Sequence, residues 1–365
     1  MISFYYWPSP YSNSTHAQAP KTLGSHLNLL DGSSHINVYS NLRRCEHVMF
    51  DAQKFIENTI EELKHKITGN AVIGVSGGVD STVSAVLASK AIGENLRCVL
   101  VDTGYMRKNE IENNERMLKK MGLNVLVVDA KERFYRKLKE VTDPEQKRKI
   151  IGELFIRVFE EIAKKEKAKF FVQGTIAPDW IESGGGLRDR IKSHHNVGGL
   201  PEKMDFEIVE PLRDLYKDEV RIVGKKLGLP QELYERQPFP GPGLAVRIIG
   251  EANLENARVV REACVIAEEE IEKAVSNGEM KRPWQYFAVL LPCRTVGVHG
   301  DVRAYGHVIS VRAVESLDGM SAAYSKIPHA VLERISVRIT NALKDDVNRV
   351  VFDITNKPPG TIEYE

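Results

Sequence analysis

Four mostly apolar runs of about five residues, at 71–75, 97–101, 124–128 and 169–173, alternate with stretches of helical spacing at 81–91, 109–121 and 143–167. No other pattern in the chain restricts its fold as much. Apolar runs this short read as strands buried on both faces. The stretches between them are rich in good helix formers and long enough to serve as crossovers. The expectation is a doubly wound α/β domain, a parallel sheet with helices on both faces. On such a sheet ligands bind beyond the carboxyl ends of the strands, so the residues after each run are the ones to search.

Directly after the first run comes Ser76-Gly77-Gly78-Val79-Asp80-Ser81-Thr82, which opens a helix. Adjacent glycines let backbone N–H groups turn toward a phosphate, and the helix adds its positive N-terminal end. Ser76, Ser81 and Thr82 offer hydroxyl donors. Asp80 would repel a bare phosphate, so its presence argues for a bridging Mg²⁺. The Gly-x-x-x-x-Gly-Lys-Ser/Thr loop is absent, and so is Gly-x-Gly-x-x-Gly at this place. A Gly-rich turn with a serine cap is the bland alternative; its strand–loop–helix setting counts against it. The seven residues resemble the loop of the ATP pyrophosphatases. That resemblance implies a substrate adenylylated by ATP with release of pyrophosphate, ATP being held by Ser76, Gly77, Gly78, Val79, Asp80, Ser81, Thr82 and Asp102.

The rest of the chain selects the substrate. The runs Asp102-Thr-Gly-Tyr-Met-Arg-Lys108, Gly174-Thr-Ile-Ala-Pro-Asp-Trp-Ile-Glu-Ser183 and Ile191-Lys-Ser-His-His-Asn-Val-Gly-Gly-Leu-Pro201 resemble segments of the GMP synthases. So do Pro238-Phe-Pro-Gly-Pro-Gly-Leu244, Thr295-Val-Gly-Val-His-Gly-Asp301 and the tail Lys357-Pro-Pro-Gly-Thr-Ile-Glu-Tyr-Glu365. The resemblance runs from about Met49 to the last residue. It implies an ATP pyrophosphatase domain followed by a small α+β dimerisation domain that helps close a site for xanthosine monophosphate (XMP).

The residues have readings of their own. Asp102 closes the second strand, where a nucleoside would lie or where a carboxylate would cap a turn. Asp179 and Glu182 are spaced by three, as on one helical face, and suit Mg²⁺-pyrophosphate or a solvated acidic loop equally well. Lys192, His194 and His195 stand in a Gly-rich stretch, 184–205, that reads as a lid; a lysine arriving on closure would neutralise charge growing on the phosphates. No further ligand with zinc-like spacing accompanies the two histidines. Lys217 and Arg221, four apart, share a helical face that is either solvated or turned to nucleotide phosphates. The resemblance assigns Arg247, Asp301, Arg303, Lys357, Thr361 and Glu363 to XMP, with Lys357 able to act as a point charge for its phosphate and Glu363 as an acceptor for a purine N–H. A floppy charged C-terminus is the alternative, and Pro358-Pro359 argues against it.

Residues 1–48 hold only five charged residues and no sustained period, and read as an irregular extension, either a tail or a docking arm. A charged amphipathic helix follows at 50–66. The turn-rich stretch at 237–243 marks the boundary between a pyrophosphatase domain, 49–240, and a second domain, 241–365. A net charge of +1 gives no global field for nucleic acid or a membrane surface, and no apolar run approaches a membrane span. Four cysteines without paired spacing suit a reducing, cytoplasmic setting. None of them sits in the setting of a glutaminase nucleophile, and 48 residues are too few for such a domain. The chain therefore resembles the two-subunit form of the enzyme, taking ammonia from a separate glutaminase and pairing with a second copy of itself. A tRNA thiolase, an NAD synthetase or a nucleotide-sensing module are the rival readings.

Overall fold

The computed structural model describes residues 50–177, 206–299, 301–317 and 319–365. The first half is a five-stranded parallel sheet in the order β3-β2-β1-β4-β5. Its strands are β1 (Ala71–Gly74), β2 (Leu96–Asp102), β3 (Val125–Asp129), β4 (Phe170–Val172) and β5 (Glu207–Val209). The helices are α1 (Ala52–Lys66), α2 (Val79–Ile92), α3 (Glu110–Lys120), α4 (Lys131–Leu138), α5 (Pro144–Glu166), α6 (Lys217–Lys226) and α7 (Gln231–Glu235). The expected strands and crossovers are present within a residue or two. Helix α4 and strand β5 had no counterpart in the sequence pattern.

Strand periodicity shows how the sheet is covered. Ala71 and Ile73 of β1, with Leu96, Cys98 and Leu100 of β2, join a core made with α1, α2 and α6. Val99 and Val101, one residue out of step, point into a second core with Phe134 of α4 and Ile151, Leu154 and Val158 of α5. Alternate side chains thus feed opposite faces, and both are covered. Asp51 starts α1 by accepting from the N–H groups of Gln53 and Lys54, and Asp143 starts α5 by accepting from Gln146 N–H at 2.8 Å.

The second half contains α8 (Leu254–Ser276), β6 (Gln285–His299), β7 (Val302–Glu315), β8 (Ala323–Tyr324), α9 (His329–Ala342) and β9 (Val347–Asp353). β6 and β8 run antiparallel to β7, and β9 runs parallel to it. The apolar runs at 286–291 and 308–314 read from the sequence as two short strands; the structure joins them into one long hairpin whose outermost paired residues are His299 and Val302. Gly297 and Gly306 permit this, because the Asn348 side chain lies 2.8 Å from where a Cβ would stand on either.

The stretch at 237–243 leads from the first half into the second. Leu244 and Ala245, just beyond it, are buried in the same core as Val99, Phe134, Phe287 and Ile309, so the two halves share apolar interior. No helix among the described residues is long and apolar enough to cross a membrane.

Candidate active site

The sheet's order reverses around β1, between β2 and β4, so the carboxyl ends of β1 and β4 form its crevice. The Ser76–Thr82 loop lies there. Gly77 takes φ +75°, and the Asn114 side chain from α3 lies 2.4 Å from where its Cβ would be, so only glycine fits the turn and the contact together. Ser81 and Thr82 are buried and donate to the Gly78 carbonyl at 3.1 and 2.8 Å, while Ser76 Oγ accepts from Gly78 N–H at 3.3 Å. The hydroxyls expected to meet phosphate therefore brace the loop, at least for Ser81 and Thr82. Val79 is buried in the core beneath, which leaves Ser76, Gly78 and Asp80 on the accessible side.

Asp80 is divided between two demands. One carboxylate oxygen is ion-paired to Lys217 at the start of α6, and the other, Oδ1, is buried with no hydrogen-bond partner among the described residues. A buried carboxylate oxygen without a donor is costly unless something else meets it. At the mouth of an anion cradle, a hard divalent cation fits that oxygen. Gly174, after β4, comes so close that a Cβ on it would stand 3.0 Å from the backbone of Asp80 and Ser81. Thr175 donates to Glu210 Oε1 at 2.7 Å, fastening the end of β4 to the residue after β5.

Asp102 ends β2 as expected, but both its oxygens are engaged. Oδ1 accepts from Gly104 N–H at 2.9 Å and Oδ2 from Lys131 Nζ at 3.2 Å, so in this structure it caps the turn of its own loop. Lys131 also reaches Asp129 at 3.1 Å, and its hydrogen bonds to Asp129 and then Asp102 hold its ammonium above its ordinary value. The loop is tied to the second half as well. Arg261 of α8 donates to the carbonyls of Met106, at 2.9 Å, and Gly104. Leu244 N–H donates to the Tyr105 carbonyl at 2.8 Å.

A second cluster gathers at the C-terminal tail. Arg247 is fully buried and grips Glu363 in a fork, Nε to Oε2 at 3.0 Å and Nη2 to Oε1 at 2.8 Å. Burial pushes that guanidinium down, yet the Glu363 carboxylate more than offsets it and holds the group above its ordinary value. Phe287 and Phe239 lie under its face, at 4.0 and 5.2 Å from ring centre to guanidinium. Gln285 adds a third donor to Glu363 at 2.9 Å. Arg312, also fully buried, donates to the carbonyls of Thr355 (2.7 Å), Thr361 (2.9 Å) and Ile362 (3.3 Å). Lys357 Nζ donates to the Gly319 carbonyl at 2.8 Å, and the Thr361 hydroxyl donates to the Glu363 carbonyl.

The structure thus brings Ser76 to Thr82 together with Lys217, and Arg247 together with Thr361 and Glu363. Asp301 and Arg303 do not join the tail cluster. Both are exposed at the tip of the β6–β7 hairpin, and Arg303 lies nine residues along β7 from Arg312, about 30 Å at the rise of a strand. Arg221 is exposed one turn along from Lys217. Asp179, Glu182, Lys192, His194 and His195 lie outside the described residues. Sequence reading missed Lys131, Gln285 and Arg312; each is a single polar residue in an ordinary helix or strand, with no local signal of its tertiary partner.

Comparison with known proteins bears on both clusters. Residues 269–364 match the GMP synthase C terminal domain family, and residues 48–165 match the NAD synthase family. The B subunit of the glutamine-hydrolyzing GMP synthase from Methanopyrus kandleri is 58% identical over 319 residues, covering 87% of this chain and 100% of that protein. Its counterpart of the same name in Methanocaldococcus jannaschii is 57% identical over 319 residues, again 87% of this chain and 100% of the relative. The glutamine-hydrolyzing GMP synthase of Thermotoga petrophila is 56% identical over 315 residues, 85% of this chain and 62% of its own length.

Proposed function

The chain belongs to the family of GMP synthase B subunits, and we propose that its Ser76–Thr82 loop holds the phosphates of ATP while its C-terminal tail holds the purine of XMP. The protein is a carbon–nitrogen ligase that uses ATP to adenylylate XMP and ammonia to convert it to GMP. The two-subunit name of its relatives implies a separate glutaminase as the source of that ammonia.

The chemistry distributes over the two clusters as follows. The C2 oxygen of XMP attacks the α-phosphorus of ATP, the bond from that phosphorus to the bridging oxygen breaks, and pyrophosphate leaves toward the loop. Ammonia then adds at C2, AMP departs with the former XMP oxygen, and a proton is lost to give GMP. Backbone N–H groups of the loop and the N-terminus of α2 receive the growing negative charge. Lys217 is a cation already beside that loop, with Arg221 one turn away on the same helix. Asp80 would hold Mg²⁺ through its unpartnered oxygen, and the ion when bound supplies charge neutralisation for the polyphosphate. Lys192, with His194, His195, Asp179 and Glu182, would close over the reactants and exclude the water that hydrolyses an adenylylated intermediate.

Glu363 carries the purine assignment. Arg247, buried beneath it, orients its carboxylate, and Lys357 takes the XMP phosphate. Asp301 and Arg303, a strand's length away, fall outside this chain's own tail pocket. Val296, Val298 and Tyr305 share one exposed face of the hairpin, which supports a homodimer formed through the second half. A cytoplasmic setting completes the proposal.

One observation carries the reading: a pyrophosphatase-type loop whose Asp80 keeps a buried oxygen unpartnered among the described residues, in a chain 58% identical to a GMP synthase B subunit. The test is GMP formation by the purified chain from XMP, Mg·ATP and ammonium chloride. With glutamine as the nitrogen source it should form none until a glutaminase is added. GMP made from glutamine by the chain alone, in an ammonia-free preparation, would contradict the two-subunit assignment.

A further inference from the structure

Lys147 lies in the first half, on α5, and is completely buried. A buried ammonium must find acceptors, and this one finds three. It donates to the carbonyls of Ile248 at 2.6 Å and Ala245 at 3.4 Å, and it is ion-paired with the side chain of Glu365, the last residue of the chain. Arg148 beside it donates to the main-chain oxygen of Glu365, and Gly250 N–H donates to Glu365 Oε1 at 3.3 Å. Burial pushes the Lys147 ammonium below and the Glu365 carboxyl above their ordinary values, and each pulls the other back toward charge.

The tail alternates. Ile362 and Tyr364 turn into the core of the second half, with Tyr364 Oη bonded to Asp353 at 2.7 Å and Ser310 at 2.9 Å. Glu363 and Glu365 turn the other way, onto Arg247 and Lys147. Two buried cations, from different parts of the chain, therefore hold two carboxylates that are next-nearest neighbours in the tail. We propose that Lys147 is a positioning residue for XMP: by fixing Glu365 it sets where Glu363 presents its carboxylate, so a helix of the ATP-binding half tunes affinity for the other substrate. This rests on the assignment of the tail to XMP.

Fold stability alone does not require the pair, since replacing both members of a buried ion pair by apolar groups is often neutral, whereas removing one leaves a stranded charge. That difference supplies the experiment. Lys147→Met, the double variant Lys147→Met/Glu365→Met and Glu363→Gln are compared with the wild type for KM toward XMP, KM toward ATP, kcat and melting temperature. Lys147→Met should lower the melting temperature, and the double variant should recover it. The double variant should nevertheless keep an XMP KM raised about tenfold, the loss of one well-placed hydrogen bond to a charged group, with ATP KM within about twofold. A double variant with wild-type XMP KM overturns the positioning role, as does one in which both KM values rise together. Glu363→Gln separates the two ideas. Unchanged XMP KM in that variant refutes the tail assignment itself, whereas a raised value beside a normal double variant refutes the role of Lys147 alone.

Discussion

Replacing Asp80 by alanine should nearly abolish adenylylation while leaving the fold as stable as before. The side chain's ion pair with Lys217 joins groups that are 21% and 45% exposed, and pairs that open to water contribute about 0–1 kcal/mol. Its position in the first turn of α2 adds a favourable interaction with the helix dipole of about 0.3–1 kcal/mol. Against these stands Oδ1, buried without a donor among the described residues, whose desolvation costs about 1–3 kcal/mol. The terms nearly cancel, so unfolding free energy should change by no more than about 1 kcal/mol, and melting temperature by no more than about 3 °C. Catalysis has no such compensation. Losing a preorganised charge at the site of developing phosphate charge costs about 10²- to 10³-fold in kcat. The assay is pyrophosphate release on mixing XMP and Mg·ATP, beside a thermal melt of the same preparation. Wild-type turnover in Asp80→Ala would refute the metal-holding role. A fall in melting temperature of about 10 °C or more would show that Asp80 is structural, and the lost activity would then mean nothing for the metal.

Other outcomes follow from the same geometry. Gly174→Ala puts a Cβ 3.0 Å from the backbone of Asp80 and Ser81, and should lower kcat/KM for ATP about tenfold or more with XMP affinity by calorimetry unchanged; normal ATP kinetics would show that the loop yields without consequence. Arg261→Met releases the carbonyls of Gly104 and Met106, and should raise ATP KM more than XMP KM in steady-state assays. Lys192→Ala should lower kcat more than it weakens ATP binding, because the lysine is assigned to the closed state; weaker binding with unchanged kcat would make it a ground-state contact. With ammonium salts as nitrogen source, the rate at fixed total ammonium should climb as pH rises, because only neutral NH₃ is a nucleophile; a flat profile would place another step in control.

The sheet and its loop were legible because their signals are local. Five-residue apolar runs, helical spacing and a pair of glycines between strand and helix act over a few residues, and those elements lie where the sequence placed them. Helix α4 was missed because most of its eight residues are polar or charged and only Phe134 and Leu138 are buried. Strand β5 was missed because three residues carry too little pattern. The long hairpin was missed because its outer half exposes Val296, Val298 and Tyr305, so alternation of buried and solvated positions breaks down there. The tail site shows the other limit. Glu363 and Arg247 could be singled out by resemblance, but their direct pairing depends on residues 116 apart in sequence. Lys147, in the run Gln146-Lys147-Arg148-Lys149, is indistinguishable from a solvated helix charge until the fold buries it. The bland reading of Asp102 as a turn cap also describes its contacts, which a lone carboxylate at a strand end could not decide.

The central claim is that the C2 oxygen of XMP becomes bonded to the α-phosphorus of ATP before ammonia displaces it. XMP labelled with ¹⁸O at C2, turned over by this chain with Mg·ATP and ammonium, tests it directly by mass spectrometry of the products. The label should appear in the phosphate of AMP, one atom per GMP formed, and pyrophosphate should carry none. Label found in inorganic phosphate or in water, with unlabelled AMP, would contradict the account.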